Sequence, residues 1–296
     1  MNRWVKRGGV ALGVIVVGAG VAFAAMVGLG QRKLERQVDV SVTPVAFTSD
    51  PASIERGRYL FLSRGCSDCH GKDAGGHVVV ADGALYIRSP NITSSPQSAT
   101  AGYAPADWVR SVRHGVDPQG RALMIMPSEE YAGFVDADLA AVVAYIRQLP
   151  PSGGPKAEIR LPLLLKALYG AGQLRDASEK IDHTRAAAQP VPEGVTAAHG
   201  AYVAQGCVGC HGPKLAGGKI PGAPPSWPPA ARLAPGPGSA LDRYPTAEQF
   251  MAMFKTGKRP DGSSVSEVMP FSSFKEWSEV DIRALYLHLR ALPSDG

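Results

Sequence analysis

Cysteine is scarce in this chain, with four in 296 residues. All four sit in two copies of one pattern, Cys66-Ser67-Asp68-Cys69-His70 and Cys207-Val208-Gly209-Cys210-His211, which leaves none for a structural disulfide. Aromatic residues are also few, at 7% of the chain, a level that suits small helical domains rather than one large aromatic core. Charge of one sign is lacking too. Much of the formal +5 comes from Arg3, Lys6 and Arg7 at the N-terminus, where no acid opposes them, and the remainder is nearly balanced. Nothing in that distribution asks for nucleic acid, which is excluded as a partner. Apolar runs of membrane length are missing except for one. Glycine and proline, by contrast, are plentiful at 34 and 25, so long irregular segments should wrap between helices.

The exception is residues 8–30, 23 positions without a charged or strongly polar side chain. A hydrocarbon core of ~30 Å at ~1.5 Å per residue needs about 20, so this run is long enough to cross a bilayer. A cleaved signal sequence is the competing reading, because Ala22-Phe23-Ala24 is a passable cleavage site. The run nevertheless continues through Met26, Val27 and Leu29 before Arg32 and Lys33 stop it, which favours an uncleaved anchor over residues 1–31. Residues 32–51 read as a tether, with Pro44 and Pro51 arguing against one continuous helix.

C-x-x-C-H is the attachment signature of c-type haem. Two thiols three residues apart each form a thioether with a vinyl group on the porphyrin edge, and the following His is carried beneath the iron as its axial ligand. A lone C-x-x-C would equally serve a redox dithiol or half a zinc site. A His in the fifth position of both copies, with no cysteine to spare, makes those readings poor. Cys66, Cys69, Cys207 and Cys210 are therefore expected to hold two covalent haems, with His70 and His211 on the irons. Haem c is attached outside the bacterial cytoplasm, so the bulk of the chain should face the periplasm from an anchor in the inner membrane.

Around the motifs the chain repeats itself. A helical pattern from Ala52 leads into the first motif, a helix is expected over residues 105–114 with Trp108, Val109 and Val112 at helical spacing, and a closing helix over 136–149. Downstream, Tyr202 leads into the second motif, residues 250–255 match the Trp108 helix, and 281–292 match the closing helix. Equivalent positions are 141 residues apart at His70/His211, 142 at Gly115/Gly257 and 143 at Met126/Met269 and Asp138/Asp281. Near-constant offsets over such a length mean duplicated domains, here 52–150 and 194–296, joined by a linker over 151–193. The linker holds an apolar patch, Leu161 to Tyr169, too short to span a bilayer; packing within the chain is the leading expectation, ahead of a partner or the membrane surface.

Each iron needs a ligand opposite its His. Met126 and Met269 each precede a proline, 56 and 58 residues beyond the proximal His, at equivalent points of the repeat. Thioether sulfur favours ferrous iron and raises the potential, and it closes the iron to oxygen and peroxide. The metal ligands expected are thus His70, Met126, His211 and Met269. Of the other histidines, His77 and His114 have surface or capping roles, and His183 and His199 read as solvent-exposed.

Both repeats resemble class I cytochrome c domains: an N-terminal helix, C-x-x-C-H, a proline-bearing loop, a middle helix, a distal Met and a C-terminal helix. The fold implied is all-α, two tandem domains of small helices wrapped around haem behind one transmembrane helix. In that family a proline carbonyl accepts the N–H of the proximal His, which puts Pro90 beside His70; in the second repeat the match is Pro224 or Pro225. The sequence 89–93 (Ser-Pro-Asn-Ile-Thr), the Trp108 helix, Gly120-Arg121, Met126-Pro127 and Tyr131 further resemble the cytochrome c subunits of membrane-bound periplasmic dehydrogenases. Arg88 or Trp108 would then bond a haem propionate.

The resemblance implies a non-catalytic electron carrier, taking electrons from a dehydrogenase catalytic subunit and passing them to a soluble cytochrome or terminal oxidase. Two alternatives stand beside it: a haem-bearing subunit of a terminal oxidase, and a dihaem peroxidase. The peroxidase needs an open sixth position at one iron, against which the paired Met-Pro sequences argue.

Overall fold

The uncharged run forms part of a single long helix, α1, over Arg3–Glu35. The computed structural model describes residues 3–186 and 188–294. Arg32 and Lys33 fall in the last turn of α1, where cations suit the negative end of the helix dipole. Among the described residues α1 alone has the length and apolar composition to cross a membrane.

Beyond α1 the chain runs extended along the first group of helices rather than hanging free. Val38 donates its N–H to Gly120 O at 2.7 Å, Val40 is buried, and Val42, Val45 and Phe47 pack on the first core. The expected tether thus begins four residues late and is docked. Its alternation of valines at 38, 40 and 42 is the two-residue period of a strand with one buried face.

The first core is built by α2 (Pro51–Ser63), α3 (Cys66–His70), α4 (Pro105–His114), α5 (Ser128–Tyr131) and α6 (Asp136–Gln148). Asp50 caps α2 by accepting the Ser53 N–H at 2.8 Å, and Pro51 stands where no N–H is needed. α2 and α6 cross with their backbones almost touching: a Cβ on Gly57 would lie 1.9 Å from Ala141 O. Leu60, Phe61, Trp108, Leu139 and Val142 fill the space between them.

The chain is mostly helical, as the all-α expectation has it, with one small sheet that the expectation lacked. β1 (Val78–Asp82) and β2 (Leu85–Arg88) form a hairpin, and β3 (Glu158–Arg160) adds to it antiparallel, in the order β1-β2-β3. The hairpin signal was present in the sequence as β-branched Val78 to Val80, Asp82-Gly83 at the turn, and Tyr86-Ile87 on the return. Glycine at φ +54 permits that turn.

α7 (Leu163–Gly170) comes from the expected linker and packs within the chain, on α1 rather than on a helix of either core. The second core is built by α8 (Ala197–Val203), α9 (Val208–His211), α10 (Ala247–Thr256), α11 (Phe271–Phe274) and α12 (Glu279–Ala291) around Phe250, Phe254, Trp277, Leu285 and Leu289. The crossing of α8 with α12 reproduces that of α2 with α6. A Cβ on Gly200 would lie 2.0 Å from Ala284 O.

Candidate functional site

Both C-x-x-C-H sequences fold as one short helical turn, α3 and α9, each stopped by a glycine, Gly71 at φ +77 and Gly212 at φ +78. The chain then turns back: Gly76 N–H reaches His70 O at 2.8 Å, and Gly217 N–H reaches His211 O at 2.9 Å. A Cβ on Gly76 would lie 2.5 Å from the Pro90 carbonyl carbon, and one on Gly217 2.5 Å from Ala230 O, so only glycine lets the returning backbone pass. A glycine six residues beyond each His was therefore a legible signal that motif reading passed over.

That close passage sets the imidazoles. His70 Nδ1 lies 3.0 Å from Pro90 O, and His211 Nδ1 lies 2.7 Å from Ala231 O, 20 residues beyond the His in both cases. Neither Pro224 nor Pro225 serves the second His. The segment from His to acceptor is equally long in both halves, and the bridge between Gly218 and Ala230 places Ala231 where Pro90 stands in the first half. A ring that donates Nδ1–H to a carbonyl keeps Nε2 unprotonated, the form that ligates a metal. Burial lowers the pKa of both rings, against the opposing pull of these hydrogen bonds, and so keeps them neutral.

The donor set discriminates among cofactors. All four cysteines are unpaired. Burial pushes the Cys66 and Cys207 thiols up to about 12 and raises Cys69 and Cys210 as well, the opposite of the depressed thiol that a redox dithiol requires. Among the described residues no group of three or more His, Cys, Asp and Glu side chains could hold a metal ion, so the zinc reading lacks ligands. Two thiols and one neutral imidazole on a single helical turn fit haem c.

Met126 and Met269 are both half-buried, and Met126 packs on the first core. Their backbones make the same turn: Met126 O accepts the Ser128 N–H and Met269 O the Phe271 N–H, each at 2.8 Å. Arg88 is engaged elsewhere, donating to Lys156 O at 3.1 Å and paired with Glu158 at 2.9 Å on the sheet edge.

The two halves lock together next to these motifs. Tyr59 of α2 donates to Asp281 of α12 at 2.6 Å, and Tyr202 of α8 donates to Asp138 of α6 at 2.6 Å. Tyr59 and Tyr202 are 143 residues apart, as are Asp138 and Asp281, so each tyrosine reaches across to the other half's aspartate. Arg64, just ahead of the first motif, enters the second half, where its guanidinium meets Asp281 at 2.6 Å and lies 4.7 Å from the Trp277 ring. Trp277 Nε1–H returns a bond to Ser63 O at 2.6 Å. The turns after the two Met-Pro pairs lean on the opposite motifs. Ser273 bonds Asp68 of α3 at 2.6 Å, and Glu130 Oε1 lies 2.1 Å from where a Gly209 Cβ would be. Burial, reinforced by Glu129 and opposed by Lys180, pushes the Glu130 carboxyl up to about 7.

Two histidines depart from expectation. His199 is 1% exposed, with Nε2 2.7 Å from Asp281 Oδ1; it is the second-half counterpart of Arg56, which bonds Asp138 at 2.9 Å. His183 is half-buried, its Nδ1 2.9 Å from that of His114, so neither ring is a free surface group.

Residues 52–146 match the family model described as cytochrome C oxidase, cbb3-type, subunit III, and the chain thus carries a cytochrome c-type domain. Its relatives point to a particular setting. It is 26% identical over 282 residues to the fructose dehydrogenase cytochrome subunit of Gluconobacter japonicus, covering 85% of this chain and 55% of that one. To the cytochrome c subunit of alcohol dehydrogenase (quinone) from Gluconobacter oxydans it is 25% identical, covering 83% of this chain and 56% of the relative. The gluconate 2-dehydrogenase cytochrome c subunit of Pantoea cypripedii is 28% identical over 56% of this chain and 39% of the relative. The chain thus spans about half the length, or less, of these relatives.

Proposed function

We propose that this chain is a membrane-anchored dihaem cytochrome c that relays electrons on the periplasmic side of the bacterial inner membrane. Its donor is a dehydrogenase catalytic subunit and its acceptor a soluble cytochrome or terminal oxidase. Residues 52–150 and 194–296 are the two tandem haem domains. Cys66, Cys69 and His70 with Met126, and Cys207, Cys210 and His211 with Met269, would hold the haems. The observation that carries the reading is the doubled motif turn, each with its imidazole Nδ1 tied to a main-chain carbonyl 20 residues on.

Haem c, when bound, supplies an iron centre that gains and loses one electron. This chain's residues do the rest. The cysteines would hold the macrocycle, the Pro90 and Ala231 carbonyls fix the imidazole tautomers, and the methionines would be further ligands that exclude exogenous ones. The reciprocal Tyr–Asp pairs and Arg64 keep the two motif helices in one arrangement. Resemblance to named dehydrogenase cytochrome subunits supports the donor. The oxidase-subunit description of the matching family model favours a second reading, a carrier subunit of a terminal oxidase.

Two measurements test the proposal. The intact purified chain should weigh two haem equivalents more than its amino acids; a bare polypeptide mass defeats it. Met269→Ala should let the reduced protein bind carbon monoxide and lower one of two midpoint potentials, and neither change would remove Met269 as a ligand.

A further inference from the structure

We infer that α7 lies in the outer boundary of the bilayer beside α1, with Leu163 and Leu164 among the lipid chains. The remainder of the chain is thereby held at a fixed height and orientation above the membrane. This rests on the reading of α1 as a membrane anchor.

The contact between the two helices is backbone to backbone. A Cβ on Gly30 would lie 2.0 Å from Lys166 O, and one on Gly170 would lie 2.1 Å from Met26 O. Small residues at a crossing allow this approach, as they do between helices in lipid. Met26 and Gly30 belong to the uncharged run of α1, so with α1 spanning the bilayer the end of α7 cannot stand clear of it.

Charged and exposed apolar groups both surround this crossing. An ionic cluster lies at and beyond the C-terminal end of α1. There Lys33 pairs with Glu179 at 2.9 Å, and Arg36 bonds Asp176 at 2.7 Å and the Tyr169 hydroxyl at 2.6 Å. Tyr169, 1% exposed, is buried at the crossing, its ring beneath the Lys33 amine at 4.2 Å. Leu163 and Leu164 are each 61% exposed and Leu29 of α1 is 51% exposed, and Leu165 and Leu168 of α7 are half-buried. Lys166, the sole charge on α7, turns its amine to Gln31 Oε1 at 3.0 Å, toward the polar end of α1. At eight residues α7 cannot span, and it packs directly on the uncharged run of the anchor while showing exposed leucines. Acyl chains surrounding α1 are the occupant that this contact selects.

Single cysteines placed at Val17, Leu164 and Leu287, carried by the full haem-loaded chain in phosphatidylethanolamine–phosphatidylglycerol vesicles, take nitroxide labels for collision measurements. Leu287, on α12, is an exposed site in the second core and serves as the aqueous reference. The label at Leu164 should be open to oxygen, and its access to a water-soluble nickel chelate roughly tenfold below that at Leu287, near the value at Val17. Chelate access at Leu164 equal to that at Leu287, with Val17 still protected, overturns the inference and leaves the anchor standing. Chelate access at Val17 as well removes the anchor and the inference with it. A label at Leu164 shielded from both agents overturns the lipid assignment in favour of a protein contact, such as a second copy. Uptake of label by the unsubstituted chain would instead show free native cysteines and count against the haem reading alone.

Discussion

Asp281 is where the two halves depend on each other most. Its carboxylate is fully buried, and it accepts from Arg64 and Tyr59 at 2.6 Å each, with His199 Nε2 at 2.7 Å. Burial by itself would raise its pKa, but the Arg64 charge and the hydrogen bonds outweigh that and hold it below the ordinary value. Asp281→Asn keeps the shape and removes the charge. At 2.6 Å and an effective dielectric constant of ~20, the gross attraction to Arg64 is about 6 kcal/mol, of which desolvation offsets a large part. The larger consequence is the guanidinium left behind, 6% exposed and without its counter-charge. Breaking a buried pair in this way costs about 3–5 kcal/mol. At about 2–4 °C per kcal/mol for a chain of this size, thermal unfolding of the solubilised protein should fall by ~6–20 °C. Replacing Arg64 by Met as well should recover most of the loss, because the second change removes the stranded charge. A single substitution that costs under ~1 kcal/mol, or a double variant no better than the single, would refute the reasoning.

Gly200→Ala should destabilise by about 1–3 kcal/mol despite better helix propensity, because the new Cβ meets Ala284 O and forces α8 from α12; unchanged thermal stability would contradict the close crossing. Glu130 carries a pH dependence whose sign is fixed. The folded carboxyl holds its proton up to about 7, whereas the unfolded one releases it near the ordinary 4.5. Stability therefore falls as pH rises between those values and is flat above. Glu130→Gln should match the parent near pH 4 and exceed it at pH 8 by up to about 3 kcal/mol, as read from denaturant melts. Equal stabilities at pH 8 would show that the carboxyl is not held protonated.

Several elements were legible because their cause is local. The apolar run of α1, the capped and proline-stopped helices and the paired C-x-x-C-H turns follow from spacing that any fold must respect. α4 begins and ends where its sequence pattern does, at Pro105 and His114. The hairpin over Val78–Arg88 was equally local, and its Asp-Gly turn was open to reading. Other features were not. His199 sits on α8 in a stretch with no strong apolar pattern, and only the approach of α12 buries it against Asp281.

Taken alone, the sequence determined where the distinctive groups lie: four thiols in two C-x-x-C-H copies, each with its histidine, and a Met-Pro pair after each. Tertiary structure alone decided how those atoms are held. Ala231 rather than a proline receives the second imidazole, because main-chain carbonyls are alike in every residue and only the path of the loop selects one. The exchange of Tyr59 and Tyr202 across the two halves has the same origin. A hydroxyl finds its carboxylate through the docking of surfaces 222 and 64 residues apart, separations at which the order of residues carries no geometric information.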